Sequence, residues 1–333
     1  MKYNIDLSKY NTFGLHCVAK KFLVITDNKD LQELAELYQN NEIFILGRGA
    51  NTVFAEENCD KIVAKIENLG KNITEENKEY ILIEVSAGEN WDDFVQWATQ
   101  NNYSGLENLA GIPSSIGATP IQNIGAYGME IKNIIDYVVC FDLEKRHWVS
   151  LTKEECKFGY RDSVFKHEKK NLVIWKVGFR LSKQFAPNIN YKDIKNKIAT
   201  EQIEHLTPKI IAETIRQIRN KKLPDYKILG NVGSFFKNPI IARNQYSDLI
   251  KSFPNIIAFD EGDNKKISAA WLIEQCGYKG KQIGNVGMHS TQALVMVNYG
   301  GATGKEVILL ANEIKEDVKH KFDINLEIEA NII

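Results

Sequence analysis

The segment GLENLAGIPSSIGATPIQNIGAYGMEI, residues 105 to 131, constrains the fold more than any other stretch, because it is long, follows neither a helical nor a strand period and is punctuated by glycine. Gly105, Gly111, Gly117, Gly125 and Gly128 alternate with Pro113, Ser114, Ser115, Ala118, Thr119, Gln122, Asn123, Ala126 and Tyr127. Small residues let the backbone approach a flat ligand closely, and the hydroxyls and amides offer donors and acceptors to phosphate or to a heterocycle edge. Upstream, in FILGRGANTVF, a strand runs into Gly47, Arg48, Gly49, Ala50, Asn51 and Thr52, where successive N–H groups can form an anion-binding nest. No amphipathic helix follows these glycines, so this is not the usual dinucleotide fingerprint, and a plain tight turn is the alternative. Two phosphate-type loops in one chain fit a single extended dinucleotide better than two separate anions.

Around these loops the pattern alternates strands and helices. KFLVITD, EIFILG and KIVAKIENL read as strands, and NKDLQELAELYQ reads as a helix capped by Asn28 or Asp27 with Leu31, Leu34 and Tyr38 on one face. NWDDFVQWATQNN carries Trp91, Phe94, Val95 and Ala98 at helical spacing, which is a core stripe. In LVIWKVGFRL the residues Val173, Trp175, Val177, Phe179 and Leu181 alternate, as in a half-buried antiparallel strand. Thr207 and Pro208 open a helix with Ile211, Ile215 and Ile218 on one side, and a domain boundary falls near its end. SAAWLIEQC, stopped by Gly277, and GKEVILLANEIKEDVKHKF bracket the strand QALVMVN. The closing DINLEIEANII puts Ile324, Leu326 and Ile328 on one strand face and Glu327 with Glu329 on the other, either serving a site or facing solvent.

The 42 basic and 43 acidic residues give no electrostatic case for nucleic acid or an anionic membrane. No apolar run approaches membrane-spanning or signal-peptide length, so a cytoplasmic protein is expected. Five scattered cysteines and six histidines match no disulfide or metal pattern, and no metal is expected. Two short motifs invite chemistry. GNVGSFFKNP presents Ser234 and Lys237 in a glycine-bounded turn, with a serine that bonds its own backbone as the alternative. KFGYRDSVFK sets Tyr160 beside Arg161, whose planar fork suits a carboxylate or a developing enolate, although such pairs also serve surface ion pairs.

Taken in order, NTFGL, LGRGAN, GLENLAGIPSSIGATPIQNIGAYG, FGYRDSVFK, KLPD, GNVGSFFKNP, WLIEQCGYKG and QALVMVN resemble, over nearly the whole chain, the longer type of the UDP-N-acetylenolpyruvoylglucosamine reductase family. The resemblance implies an α+β flavoenzyme of the vanillyl-alcohol oxidase type. Residues 1–65, joined by 321–333, and residues 66–215 would be the two FAD-binding subdomains, and residues 216–320 a substrate-binding domain. It implies FAD held by Gly47 to Thr52 and Pro113 to Gly128, NADPH as hydride donor and UDP-N-acetylglucosamine enolpyruvate as acceptor. Carried over by position, Ser234 is the general acid, while Arg161 and Glu329 bind the carboxylate side of the intermediate. Glu329 is preferred to Glu327 as the second acid of the family's L-E-x-E ending, and a protonated Glu329 would donate where an ionised one only accepts. Tyr160, Tyr191, Lys222, Asn238 and Gln292 match substrate-binding positions, and a monomer is expected. Arg48, where the family more often has glycine, and the EANII ending in place of E-V-R depart from the pattern and put the anchoring of Glu329 in question. A flavin oxidase of the same fold and a non-catalytic nucleotide-sugar-binding protein are the competing readings.

Overall fold

The structure is a computed structural model that describes residues 1–333. The chain divides into two compact units, the first made of 1–5, 19–48 and 60–221, the second of 6–18, 49–59 and 222–333. Each has its own apolar core.

The first unit carries two sheets. In the four-stranded sheet the order is Lys2–Asp6, Val18–Ile25, Asn58–Ile66, Ile43–Leu46, the last two parallel with Ile43 opposite Ile62. Helix Asn28–Tyr38 starts on a capping box in which Asp27 accepts from the Lys29 and Asp30 amides, so Asp27 and not Asn28 is the cap, and Leu31 and Leu34 are buried as their spacing predicts. The second sheet is antiparallel in the order His147–Thr152, Ile135–Asp142, Leu172–Ser182, Tyr80–Ser86, Lys71–Glu76. Helix Trp91–Gln100 buries Trp91, Phe94, Val95 and Ala98, and the Trp91 and Phe94 rings meet Phe179 at 6.0 and 5.2 Å.

Strand Leu172–Ser182 is central, and it differs from the half-buried strand its alternation predicts, because Ile174 and Gly178 are buried along with Val173, Val177, Phe179 and Leu181. Gly178 faces Tyr137 across the ladder, and a Cβ there would lie 2.6 Å from the Tyr137 ring. The missing side chain is filled by its neighbour's ring. Helix Pro208–Lys222 follows Thr207, whose hydroxyl accepts the Ile210 N–H at 3.2 Å, and it buries Ile211, Ile215 and Ile218.

The second unit packs a four-stranded sheet, in the order Gly230–Ser234, Val295–Asn298, Val286–Met288, Gln282–Ile283, and a three-stranded sheet, Ile240–Ala242, Asn264–Ile267, Ala258–Glu261, with helices Arg243–Ser252, Ala269–Gln275 and Gly304–Phe322. The last helix opens on a Thr303–Glu306 capping box and closes on Asp323 in the left-handed conformation at φ 54°. Val307, Leu310, Ala311, Ile314 and Val318 form its buried stripe. After it, the closing segment is not the single strand that its alternation predicts. Residue 328 makes one bridge to Phe236, and the chain then changes partner, with Asn331–Ile332 parallel to Thr52–Val53. Helices Lys192–Thr200 and Arg243–Ser252 arise where the pattern gives no expectation; the second buries no residue fully and so leaves almost no apolar signal.

Candidate functional site

In the first unit the two glycine-bearing segments come together. A Cβ on Gly47 would lie 2.5 Å from Ser115 Oγ and 3.6 Å from Ala118 Cβ, and one on Gly117 would lie 2.6 Å from Ala87 Cβ. Neither glycine has room for a side chain, so the two segments pack against their neighbours at closest approach. Ser114, Ser115, Thr119 and Asn123 are buried. Asn123, at φ 45°, donates through Nδ2 to Glu130 and to the Gly159 carbonyl and accepts the Lys132 N–H, so its side chain is spent on the shape of the loop. Thr119 and Ser114 likewise donate to backbone carbonyls. What these residues offer a ligand is mainly main chain. Pro113 and Gln122 are partly exposed on the same segment.

Gly125–Ala126 and Met129–Glu130 form a hairpin whose tip residues, Tyr127 and Gly128, both have positive φ, 48° and 77°. Such a turn matches the strand twist and ordinarily selects small residues. Tyr127 is held there by Asn108, which donates to its carbonyl at 3.0 Å, and its ring meets Tyr191 edge-to-face at 5.4 Å. Burial pushes the Tyr127 hydroxyl's pKa up, so the phenol is neutral. Arg161, itself at φ 53°, donates from Nη2 to the Gly125 carbonyl at 2.9 Å, and its guanidinium lies 5.8 Å from the Tyr160 ring. The structure thus brings Arg161, Tyr160, Tyr127 and Tyr191 to the second glycine-rich segment.

Two arginines on helix Pro208–Lys222 belong to the same neighbourhood and have no counterpart in the sequence reading. Arg216 Nε bonds both Asp92 oxygens at 3.1 and 3.0 Å, and Asp92 also accepts the Gly111 N–H at 2.7 Å. Arg219 donates to the Gly111 carbonyl at 3.2 Å; burial lowers its pKa while Tyr127 and Asp92 raise it. Two arginines three apart on one side of a helix were the available signal.

In the second unit, strand Gly230–Ser234 pairs with Val295–Asn298 through a bulge: Asn231 faces Val297 and Ser234 faces Val295, so three steps on one strand match two on the other. Gly233 supplies φ 73° within it. Immediately after Ser234, Phe235 and Phe236 are buried, the Phe235 carbonyl accepts the Glu329 N–H at 2.8 Å, and Lys237 N–H donates to Glu327 at 2.9 Å. Lys237 also pairs with the exposed Glu327 side chain. The two carboxylates therefore separate: Glu327 joins Lys237, while Glu329 sits partly buried opposite the residue that follows Ser234. The shortened ending is anchored on its other side as well. Asn51 Nδ2 donates to the Glu329 carbonyl at 3.0 Å, and the Asn331 N–H donates back to Asn51 at 2.9 Å.

The chain division falls between Arg48 and Gly49, so Gly47 and Arg48 belong to the first unit while Gly49, Ala50, Asn51 and Thr52 belong to the second with Ser234 and Glu329. Asn238 uses its side-chain oxygen to accept the Ala269 N–H at 2.9 Å, at the start of helix Ala269–Gln275. Lys222 ends its helix, with its carbonyl accepting the Thr291 hydroxyl at 3.3 Å beside Gln292.

Residues 19–143 match the family model for an FAD binding domain, and residues 224–333 match that for the C-terminal domain of UDP-N-acetylenolpyruvoylglucosamine reductase. The flavin-domain match, the reductase-domain match and the mixed sheet and helix content define a flavin-dependent oxidoreductase of α+β architecture. The UDP-N-acetylenolpyruvoylglucosamine reductase of Flavobacterium johnsoniae is 40% identical over 333 residues, covering 99% of this chain and 98% of that one. The reductase of the same description from Pseudomonas aeruginosa is 37% identical, covering 100% and 98%. The solved structure of UDP-N-acetylenolpyruvylglucosamine reductase from Thermus caldophilus shares the fold, with a TM-score of 0.68 at 22% identity over 98% of this chain and 97% of that one. The chain belongs to the UDP-N-acetylenolpyruvoylglucosamine reductase family.

Proposed function

We propose that this protein reduces UDP-N-acetylglucosamine enolpyruvate to UDP-N-acetylmuramate at the expense of NADPH, a step of peptidoglycan synthesis, with FAD as cofactor. The observation that supports this reading is the pairing of the segment bearing Glu329 with residues 235–237, which directly follow the Ser234 bulge. The four-stranded and five-stranded sheets of the first unit correspond, in this reading, to two flavin-holding subdomains, and residues 216–320 to the substrate domain.

FAD would be held by the backbone of 47–52 and 113–128, and when bound it supplies the hydride chemistry between NADPH and the terminal vinyl carbon. Hydride addition there leaves an electron pair on the carbon bearing the carboxylate. Ser234 Oγ–H donates its proton to that carbon, completing the new C–H bond, and solvent returns a proton to the serine. Arg161 supplies a planar cationic fork to the substrate carboxylate, so the developing enolate charge meets a preorganised donor. Glu329 serves the same carboxylate side. Tyr160, Tyr191, Lys222, Asn238 and Gln292 bind the nucleotide sugar and its phosphates; Lys222 and Tyr191 are chemically apt for diphosphate.

No helix is long and apolar enough to cross a membrane. All five cysteines are free, which suits the reducing cytoplasm, and we place the enzyme there as a monomer. The test is an anaerobic flavin spectrum of the purified protein before NADPH, after it, and after the enolpyruvyl substrate. Bleaching followed by recovery is the expected result. Bleaching without recovery would favour a flavin oxidase, and a protein that takes up no FAD on reconstitution would sink the reading altogether.

A further inference from the structure

We propose that Asn231, clamped by Thr12, is a positioning residue that aims the Ser234 hydroxyl for proton transfer; this rests on the reading of Ser234 as the proton donor. Asn231 is 6% exposed and its side chain is fully committed. Nδ2 donates to the carbonyls of Pro224 and Leu229 at 3.2 and 2.9 Å, and Oδ1 accepts the Gly233 N–H at 3.0 Å. Its main chain is gripped from the other direction: the Asn231 N–H donates to the Thr12 carbonyl at 2.9 Å, and Thr12 Oγ1 donates to the Asn231 carbonyl at 2.7 Å.

These bonds act on the bulge. Cross-strand partners point to one face of a sheet, and Val295 and Val297, two apart, share a face. Asn231 and Ser234 face those two valines, so they share a face as well, although residues three apart on a regular strand point oppositely. Without the bulge, Ser234 would be turned to the other side of the sheet. A Cβ on Gly233 would meet nothing within 4 Å, so no neighbour packs over that residue and a hydrogen bond holds its amide. The Gly233 amide, removed from the ladder, has the Asn231 oxygen as its acceptor. The strand is further seated on residues 12–14: a Cβ on Gly230 would collide with the Phe13 carbonyl, and Asn298 donates to that carbonyl at 2.9 Å. This gives the NTFG stretch near the start of the chain a role that its distance in sequence from Ser234 conceals.

The test is stopped-flow kinetics on the FAD-loaded enzyme, with flavin reduction by NADPH and reoxidation by the enolpyruvyl substrate measured separately. Asn231→Ala should leave reduction at the wild-type rate and slow reoxidation about 100-fold, the scale of a misplacement near 1 Å. Its solvent deuterium isotope effect on reoxidation should rise, because proton delivery becomes limiting. Thr12→Val should act in the same direction, and Thr12→Ser, which keeps the hydroxyl, should recover the wild-type rate. In a Ser234→Ala background, Asn231→Ala should add nothing. If Ser234→Ala itself reoxidises at the wild-type rate, the proton-donor reading falls and this inference with it. If Ser234→Ala is slow while Asn231→Ala reoxidises normally, slows both half-reactions alike, or multiplies the Ser234→Ala defect, the positioning role alone is overturned. Should Asn231→Ala fail to fold, the Thr12→Val and Thr12→Ser pair decides: equal rates in the two overturn the inference.

Discussion

Tyr127 and Arg161 hold φ angles of 48° and 53°, in a region that side chains seldom occupy. Both are kept there by neighbours, Tyr127 by Asn108 and Arg161 by its own reach to Gly125, and residues held so cluster at working sites. The guanidinium fork matters as much as its charge, since Nη2 reaches the Gly125 carbonyl and Nε is buried. Arg161→Lys keeps a charge but not the fork. Its reoxidation half-reaction should fall about 100-fold, the cost typical of losing one preorganised donor, with NADPH bleaching unchanged. Equal rates in the two enzymes would remove Arg161 from the mechanism. The thiols allow a test of the cores. Burial pushes Cys17 and Cys156 up to about 12 and raises Cys140 and Cys276 as well, but Cys276 alone among the five is partly exposed. Thiolate is the reactive form, so iodoacetamide at pH 8 should label Cys276 first and leave the other four intact in the native protein, as read by peptide mass spectrometry.

Elements here are held at their ends. The turn after strand Ile135–Asp142 hangs on Asp142, which accepts from the Glu144 and Lys145 amides at 2.9 and 3.0 Å and from Asn171 at 2.9 Å. Burial works against its charge, but those hydrogen bonds outweigh it and hold the carboxyl below the usual aspartate range. Because the folded pKa is the lower one, the stabilisation is present in full above the unfolded value near pH 4 and is lost as pH falls through the folded value. Asp142→Ala should cost about 2 kcal/mol at pH 7 in denaturant unfolding, and the difference from wild type should shrink below about pH 4. A difference that stays constant to pH 2 would refute the assignment. The closing segment is held by two partners, residues 235–237 and then Asn51 to Ala55, the latter through Asn331 and Ile333. Deleting residues 331–333 should lower Tm and slow reoxidation more than flavin reduction, since the segment loses its pairing with residues 51–55 and the Glu329 main chain is left with its bonds to Phe235 and the Asn51 side chain; an unchanged reoxidation rate would show that those two bonds suffice.

At the scale of the molecule, the match to an FAD binding domain predicts that FAD contributes directly to stability. Stripping the flavin should lower Tm by several degrees, and readdition at a hundredfold excess over Kd should restore about 3 kcal/mol, measured by thermal unfolding with and without FAD. Identical curves would mean that the folded protein binds no flavin. Much of the architecture was legible beforehand. Thr207 and Asp27, the latter one of two caps the sequence offered, stand at helix starts, the stripes of the Trp91 and Gly304 helices are buried, and the ordered motifs pointed to the family. These are local signals: a cap, a 3.6-residue period or a glycine at positive φ is determined by a residue and its near neighbours in the chain. The tertiary structure alone decided that Gly47 meets Ser115, that Arg161 reaches the Gly125 carbonyl, that the Glu329 segment pairs beside Ser234, and that Thr12 grips Asn231. Most of those contacts end on main-chain groups, which every residue carries, so the sequence holds no mark of which distant strand or loop will provide the partner.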